Sequence, residues 1–206
     1  MGHYFINDEN LKSDIKEYKI KIEDLLFKFK TDNGVFSKGE LDFGTKVLID
    51  TVLKEEILGN VLDLGCGYGV IGIVLNKIKN VNVDLIDINK RAIHLTKLNI
   101  KDNDCNNINC FESDGYLNIN KKYNVIVTNP PIRVGKEKLY SLIIDAKEHL
   151  LDNGKIYLVI RKEQGAKSFI NDMEKYYNIT ILEKKKGFFV ICLKCYWLLL
   201  KNVLLI

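Results

Sequence analysis

Several residue types are scarce in this sequence, and each scarcity narrows the reading. Its 206 residues include only two prolines, and these are adjacent, Pro130-Pro131. Histidine occurs three times and tryptophan once. Arginine is rare beside lysine, at Arg91, Arg133 and Arg161. No Lys-Ser or Lys-Thr pair follows the glycine-rich run, which excludes a Walker-type phosphate loop. No His or Cys is placed as a nucleophile: His94 falls within one helical pattern and His149 near the end of another. The single C-x-x-C, Cys192-Leu193-Lys194-Cys195, lies in a strand pattern without a second pair and makes a poor zinc site. Five cysteines are an odd number, and Met1 to Asn10 holds no apolar run of a secretory leader, so a reduced, cytoplasmic setting is expected. No repeat, low-complexity tract or linker divides the chain, and its length suits one domain. The formal net charge of +4 is compatible with an anionic partner but does not demand one.

What is present is organised around Val61-Leu62-Asp63-Leu64-Gly65-Cys66-Gly67-Tyr68-Gly69-Val70-Ile71-Gly72. An apolar run ends in an acid, breaks into alternating glycines and resumes at helical spacing. This predicts a buried strand, a tight turn and a helix start. Glycines let a ligand approach the backbone closely, and the helix start offers free N–H groups. A dinucleotide fingerprint is formally there as Gly67-Tyr68-Gly69-Val70-Ile71-Gly72, but Asp63 at the loop mouth would repel a pyrophosphate and attract a cation.

From Asn60 onward strands and helices alternate. Strands are expected at Val61–Leu64, Val81–Ile86, Ile108–Phe111, Tyr123–Thr128 and Lys155–Ile160. Helices are expected at Val70–Ile78, through Asn99 from an Asn89 cap, at Lys136–Leu151 and at Glu163–Tyr176. A turn is expected at Asn153-Gly154. Ile179–Leu182 and Phe188–Leu193, around Lys184-Lys185-Lys186-Gly187, read as a closing hairpin. Buried strands alternating with helices imply a parallel sheet covered on both faces, with ligands beyond the strands' carboxyl ends. Before this core, Tyr18 to Thr31 alternates as a two-stranded hairpin, a lid or brace on the main sheet. A helix is expected from Phe43 to Leu53.

Four motifs fall at four strand ends. Asp63 to Gly69 closes the first. Asp87 closes the second, where it can accept from two ribose hydroxyls, with Ile88 beside it to pack on a base; a helix-start acid is the plainer alternative. Ser113-Asp114 closes the third, where Asp114 can accept from an adenine amine, or simply form an Asp-Gly turn. Asn129-Pro130-Pro131-Ile132 closes the fourth. The Asn129 side-chain oxygen and the Pro130 carbonyl can both accept from a planar NH2 group, orienting its lone pair and stabilising charge that develops on it. Arg133 and Lys136 follow and suit an anionic substrate.

The run Asp63-Leu64-Gly65-Cys66-Gly67-x-Gly69 resembles the first motif of class I S-adenosylmethionine-dependent methyltransferases, and Asn-Pro-Pro resembles the motif of those that methylate planar nitrogens. With Gly34-Val35-Phe36-Ser37, Asp42-Phe43-Gly44 and Gly135-Lys136 added, residues 15 to 193 resemble the ribosomal small-subunit methyltransferase C type, which methylates a guanine N2 in 16S rRNA. The resemblance implies an α/β fold, a doubly wound, mostly parallel, seven-stranded Rossmann-like methyltransferase sheet with an antiparallel edge hairpin and a short N-terminal β-hairpin. It implies one methyltransferase domain over 1–206, with a hairpin or lid at 15–42, a cofactor-binding catalytic core at 43–193 and an apolar tail at 194–206.

The resemblance further implies S-adenosylmethionine as cofactor, met by Asp63, Gly65, Cys66, Gly67, Gly69, Asp87, Ile88, Ser113, Asp114 and Gly44. Asn129, Pro130 and Pro131 would be catalytic. Phe36, Ser37, Ile132, Arg133 and Lys136 would meet the substrate, ribosomal RNA or the small ribosomal subunit, with the enzyme a monomer or homodimer. Adenine-N6 and glutamine-amide methyltransferases usually carry Tyr or Phe where Ile132 stands, which argues modestly against those alternatives. A non-catalytic RNA-binding module of the same fold is the third reading. A membrane role for the apolar tail is disfavoured, because Lys194 and Lys201 interrupt it.

Overall fold

The computed structural model describes residues 11–37, 39–130 and 135–195. Its centre is a seven-stranded sheet in the order β5-β4-β3-β6-β7-β9-β8. The strands are β3 (Asn60–Leu64), β4 (Asn82–Asp87), β5 (Ile108–Glu112), β6 (Tyr123–Thr128), β7 (Leu150–Arg161), β8 (Tyr177–Lys185) and β9 (Phe188–Cys195). The β3–β4, β4–β5, β3–β6 and β6–β7 pairs are parallel. The closing β8–β9 hairpin is antiparallel, and β9 lies between β7 and β8.

The central strands are buried on both faces, which is why they read as unbroken apolar runs. Val61, Val83, Val125, Val127, Tyr157 and Val190 turn to one core; Leu62, Ile86, Ile126, Ile156, Leu158 and Ile191 turn to the other. Helices α1 (Phe43–Val52), α2 (Val70–Lys79) and α3 (Lys90–Asp102) pack into the first core. Helices α4 (Lys136–Asp145) and α5 (Ala166–Met173) pack into the second. The chain changes faces between β3 and β6, and an open α/β sheet holds its crevice at such a point. The Thr128 hydroxyl, fully buried, donates to the Leu64 carbonyl at 2.7 Å and ties the two strand ends together.

Two expected helices are shorter than the sequence pattern suggested. The one expected over Lys136–Leu151 stops at Asp145, passes through a 3₁₀ turn at Ala146–His149 and gives way to β7. Ile143, Ala146 and Leu150 keep helical spacing and are all buried, but Leu150 reaches the core as the strand partner of Tyr123. The turn expected at Asn153-Gly154 is a bulge within β7: the pairing steps from Tyr123–Leu150 to Val125–Lys155, with Asn153 at φ 62°. The helix expected over Glu163–Tyr176 is broken by Gly165 at φ 88°, leaving a 3₁₀ turn at Lys162–Gln164 and then α5.

The N-terminal hairpin, β1 (Lys16–Ile22) and β2 (Leu25–Thr31), forms its own two-stranded sheet. It braces α3 and the glycine loop, and neither of its strands joins the main sheet. Asn99 of α3 receives the Lys30 N–H (2.7 Å) and donates to the Lys30 carbonyl (3.0 Å). Asn103, one helical turn on, does the same for Lys28 (3.0 and 2.7 Å). Four residues of helix rise about 6 Å and two residues of strand about 6.8 Å, so the two amides match alternate residues of β2 and stand in for a neighbouring strand. Phe27, Phe29 and Tyr18 fill the inner face, and the Phe29 and Tyr18 rings meet Tyr68 of the glycine loop at 6.1 and 6.3 Å.

Cys192 and Cys195 are free thiols on β9. Three residues apart on a strand, they point to opposite faces and sit against different cores. Among the described residues no helix is long and apolar enough to cross a membrane. The tail beyond Cys195 lies outside the described residues.

Candidate cofactor and substrate site

The carboxyl ends of β3, β4 and β6 converge, and each brings its motif. After β3 the chain turns on Gly65 (φ 72°) and Gly67 (φ 57°), and both the Gly65 and Cys66 N–H groups donate to the Ile86 carbonyl at 2.9 Å. A Cβ added at Gly65 or Gly67 would meet nothing within 4 Å, so the loop presents bare backbone to open space. The other two glycines serve packing. A Cβ at Gly69 would lie 2.8 Å from Thr96, and one at Gly72 2.7 Å from Leu85 and 3.0 Å from the Asp63 carboxylate.

Asp63 is fully buried. Its Oδ2 accepts the Gly72 N–H at 2.8 Å, and its Oδ1 has no partner among the described residues. Burial pushes its carboxyl up to about 7; the Gly72 N–H opposes this and the nearby Asp87 charge adds to it. A buried carboxylate with one idle oxygen is satisfied by a donor or cation delivered from outside the chain. Asp87 closes β4. Its oxygens accept from the Gly67 N–H (2.9 Å) and the Asn89 N–H (2.8 Å), which fixes the carboxylate across the loop. Burial raises its pKa, against the pull of the Asn89, Gly67 and Ile88 N–H groups. The bare glycine backbone, the idle Asp63 oxygen and the clamped Asp87 fit a ligand that carries a cationic group and a polyol.

The sequence-expected residues divide at this point. Cys66 is buried, with its thiol near the Thr96 hydroxyl (3.8 Å) and pushed up by burial. Ser113 is buried and shapes its own turn: its hydroxyl donates to the Gly115 carbonyl (2.8 Å) and accepts from Asn118 N–H (3.2 Å). Asp114 is exposed, 3.5 Å from Lys138. Ile88 is half-buried directly after Asp87. Gly44 lies inside α1 and allows close packing, since a Cβ there would come 2.6 Å from the Phe188 ring. Phe36 is 46% exposed, and the Ser37 hydroxyl donates to the Glu40 carbonyl. Lys136 turns toward α5, pairing with Asp172 at 3.2 Å over the Tyr140 ring, so its charge already has a partner. Pro131, Ile132 and Arg133 lie outside the described residues.

Asn129 follows β6 and is held from α1. Its Nδ2 donates to the Thr45 hydroxyl at 2.8 Å and, more weakly, to Asp42 Oδ2 at 3.4 Å. Asp42 caps α1, accepting from the Thr45 N–H (2.9 Å) and hydroxyl (3.3 Å). The Thr45 proton is spent on Asp42, and a carboxylate only accepts. The amide therefore turns its NH2 toward this pair and its carbonyl oxygen away from it. Pro130, beside it, is buried. Asp42 entered the sequence reading only as part of the Asp42-Phe43-Gly44 resemblance, and Thr45 not at all; the further signal available was the Asp-x-x-Thr spacing of an N-cap just before an apolar helix. A turn at residues 32–34 is pinned beside β4's end, with Asn89 donating to the Gly34 carbonyl (2.9 Å) and Arg91 to Asp32 (3.0 Å).

Comparison with known proteins bears on the family and the fold. The methyltransferase small domain family matches residues 26–192. Bacillus subtilis YbxB is 37% identical over 193 residues, covering 92% of this chain and 96% of that one. The ribosomal RNA small subunit methyltransferase C of Psychromonas ingrahamii is 37% identical over 153 residues, covering 72% of this chain and 43% of that protein. The chain thus spans under half the length of that relative. Among solved structures, the T. thermophilus 16S rRNA N2 G1207 methyltransferase, in complex with AdoMet and guanosine, superposes with a TM-score of 0.78 at 22% identity, over 88% of this chain and 51% of that one. That likeness bears on the fold, which is the doubly wound sheet with antiparallel edge that the sequence implied. The chain belongs to the methyltransferase small domain family.

Proposed function

We propose that this protein is an S-adenosylmethionine-dependent methyltransferase that methylates an exocyclic nitrogen of an RNA base, guanine N2 in small-subunit ribosomal RNA. The observation that carries the reading is the orientation of Asn129, clamped by Thr45 and Asp42 so that its carbonyl oxygen is the end left for a substrate. Bound S-adenosylmethionine supplies an electrophilic methyl group on a cationic sulfonium. Gly65 and Gly67 would leave room for it, the idle Asp63 oxygen would offset its positive charge, and Asp87 would accept from its ribose hydroxyls. An exocyclic amine shares its lone pair with the ring and is a poor nucleophile. Asn129 Oδ1, with the Pro130 carbonyl, accepts the two N–H groups, directs the lone pair at the methyl and stabilises the positive charge that grows on nitrogen. No ionised general base is needed before attack. The RNA base reaches Asn129 only when unpaired or flipped out of its stack.

The relatives of the methyltransferase C type support the RNA substrate, and the AdoMet and guanosine bound in the T. thermophilus enzyme support the cofactor and the base. The test is incubation with S-adenosylmethionine labelled in its methyl group and either naked 16S rRNA or small subunits, followed by nucleoside digestion. N2-methylguanosine carrying the label is the expected product. Labelled methyladenosine moves the target to adenine N6, and RNA that never takes label sinks the proposal.

A further inference from the structure

The lysine run at 184–186 has no part in the chemistry above, yet the fold carries it to the active edge of the sheet. β7 runs parallel to β6, so Arg161 and Asn129 end their strands on the same side. β9 returns antiparallel to β7 with Phe188 opposite Arg161, and the Lys162 N–H donates to the Gly187 carbonyl at 2.7 Å. The β8–β9 turn is thereby fixed to the end of β7. From there a chain of contacts leads to the catalytic amide. The Phe188 ring packs on Gly44 and lies 5.6 Å from Phe43, and Phe43 follows Asp42, which holds Asn129.

Two cations cover these rings. Arg161 Cζ stands 4.9 Å from the Phe188 centroid and Lys186 Nζ 5.1 Å from the Phe43 centroid. Ring faces orient a cation without cancelling its charge. The carboxylate facing Arg161 forms a surface pair, which offsets its charge only in part. Glu163 lies 3.6 Å from Arg161 with both side chains about half exposed or more, and Glu183 turns back to the Lys184 N–H at 2.9 Å. Lys162 is exposed beside them, while Lys184 leans the other way over Phe189.

The turn itself is kept at a cost. Lys186 and Gly187 both have positive φ, 46° and 80°, which is the two-residue type I′ hairpin. Asn-Gly suits that turn far better than Lys-Gly, because Asn tolerates the left-handed region and Lys does not. A strained residue at a surface turn points to use of its side chain.

Resting on the RNA-methylation reading above, we infer that Arg161, Lys162 and Lys186, backed by Phe43 and Phe188, form the seat for RNA phosphates flanking the target nucleotide. Lys186 lies over Phe43, next to the Asp42 that holds Asn129, Arg161 lies one ring further out over Phe188, and Lys162 is exposed beside it.

Arg161→Gln, Lys186→Asn and the double variant test it, with methyl transfer to small-subunit rRNA measured across a salt series. The double variant is expected to raise KM for RNA on the order of tenfold near 0.1 M salt at unchanged kcat, and to flatten the log–log salt dependence by about 0.7 for each phosphate contact removed. S-adenosylmethionine binding stays as it was. Lys186→Asn alone is expected to raise the melting temperature by about 1–3 °C while still raising KM, since Asn relieves the turn. A purely structural lysine would not separate stability from KM in this way. Lys19→Gln with Lys28→Gln, the same loss of charge on the hairpin's outer face, leaves KM within about twofold. If the Arg161 and Lys186 variants keep the wild-type KM and salt slope while the wild type methylates rRNA, the phosphate seat is wrong and the activity stands. If the wild type never methylates RNA, the underlying reading falls, and label transferred instead to a protein, in a manner that depends on these cations, overturns the RNA assignment.

Discussion

The two sides of the switch point hold their functional groups by different means. On the β3–β4 side, Asp63 and Asp87 are held by backbone N–H groups of Gly72, Gly67 and Asn89, the farthest of them 20 residues away. On the β6 side, Asn129 is held by the side chains of Thr45 and Asp42, 84 and 87 residues away. A backbone donor survives almost any substitution; a side-chain partner does not. The cofactor side is therefore tolerant of change around its acids, and the substrate side rests on a few specific atoms. Mutation and pH can set these two designs against each other.

The largest effect is expected at Asn129 itself. Asn129→Ala deletes the acceptor aimed at the growing charge, and loss of one such group lowers kcat by about 10²–10³-fold. Its Nδ2 contacts lie on the α1 side, away from the glycine loop, so binding of S-adenosylmethionine is expected to be unchanged by calorimetry. Equal loss of binding and turnover would mean that Asn129 serves both sides and that the division between them is false.

On the cofactor side the distinctive signature is a proton. Asp63 titrates near 7 in the folded protein and near 3.8 unfolded. Between these values the native state holds a proton the unfolded state lacks, so stability falls as pH rises from about 4 to about 7, by up to roughly 1.4 kcal/mol per unit. Asp87, also raised, adds in the same direction. Asp32 and Asp84 are lowered by their partners and act only below about pH 4. His149, lowered by burial, opposes the trend up to about pH 6.5. The difference between wild type and Asp63→Asn isolates the one group. Urea unfolding from pH 5 to 7 is expected to show wild type losing stability relative to the variant, and saturating S-adenosylmethionine, whose cation favours ionised Asp63, is expected to remove that slope. A flat difference with and without cofactor would show that Asp63 is ionised throughout and that its idle oxygen waits for no cation.

The same contrast explains what could be read from the sequence. The glycine turn and the strands from Val61 to Thr128 were legible because their apolar runs are buried on both faces and the turn's hydrogen-bond partners lie nearby in the chain. The grip of Asp42 and Thr45 on Asn129 was not, because nothing in a linear pattern joins an N-cap at 42 to an amide at 129. The Asn99 and Asn103 grip on β2 was missed for the same reason: two asparagines one turn apart look like ordinary polar helix residues until a strand lies alongside. Gly44, expected to meet the cofactor, makes room for Phe188, and Lys136, expected to meet substrate, is paired with Asp172, contacts the sequence did not indicate. Glycine and lysine carry too little information for their partners to be guessed. The helix end at Asp145 was missed because Ile143, Ala146 and Leu150 keep helical spacing across a change of backbone that only sheet pairing dictates.

The smallest expected effect is the sharpest test of the side-chain clamp. Thr45→Val keeps the shape of the side chain and removes the hydroxyl that receives Asn129 Nδ2 at 2.8 Å. Asp42 remains, 3.4 Å away, with its cap on the Thr45 N–H intact, so the amide keeps its direction but loses its firmer anchor. A misplaced catalytic group costs turnover in proportion to the time it spends out of line. A fall in kcat of about tenfold, equivalent to about 1.4 kcal/mol, is expected, with S-adenosylmethionine affinity unaltered. Thr45→Ser, which restores the hydroxyl without the methyl, is expected to recover most of the rate even if it folds less stably. That crossing of stability and rate is what a packing role for Thr45 would not produce. If Val and Ser behave alike, Asn129 is held by its own loop as the acids are held by theirs, and the two sides of the switch point are built the same way after all.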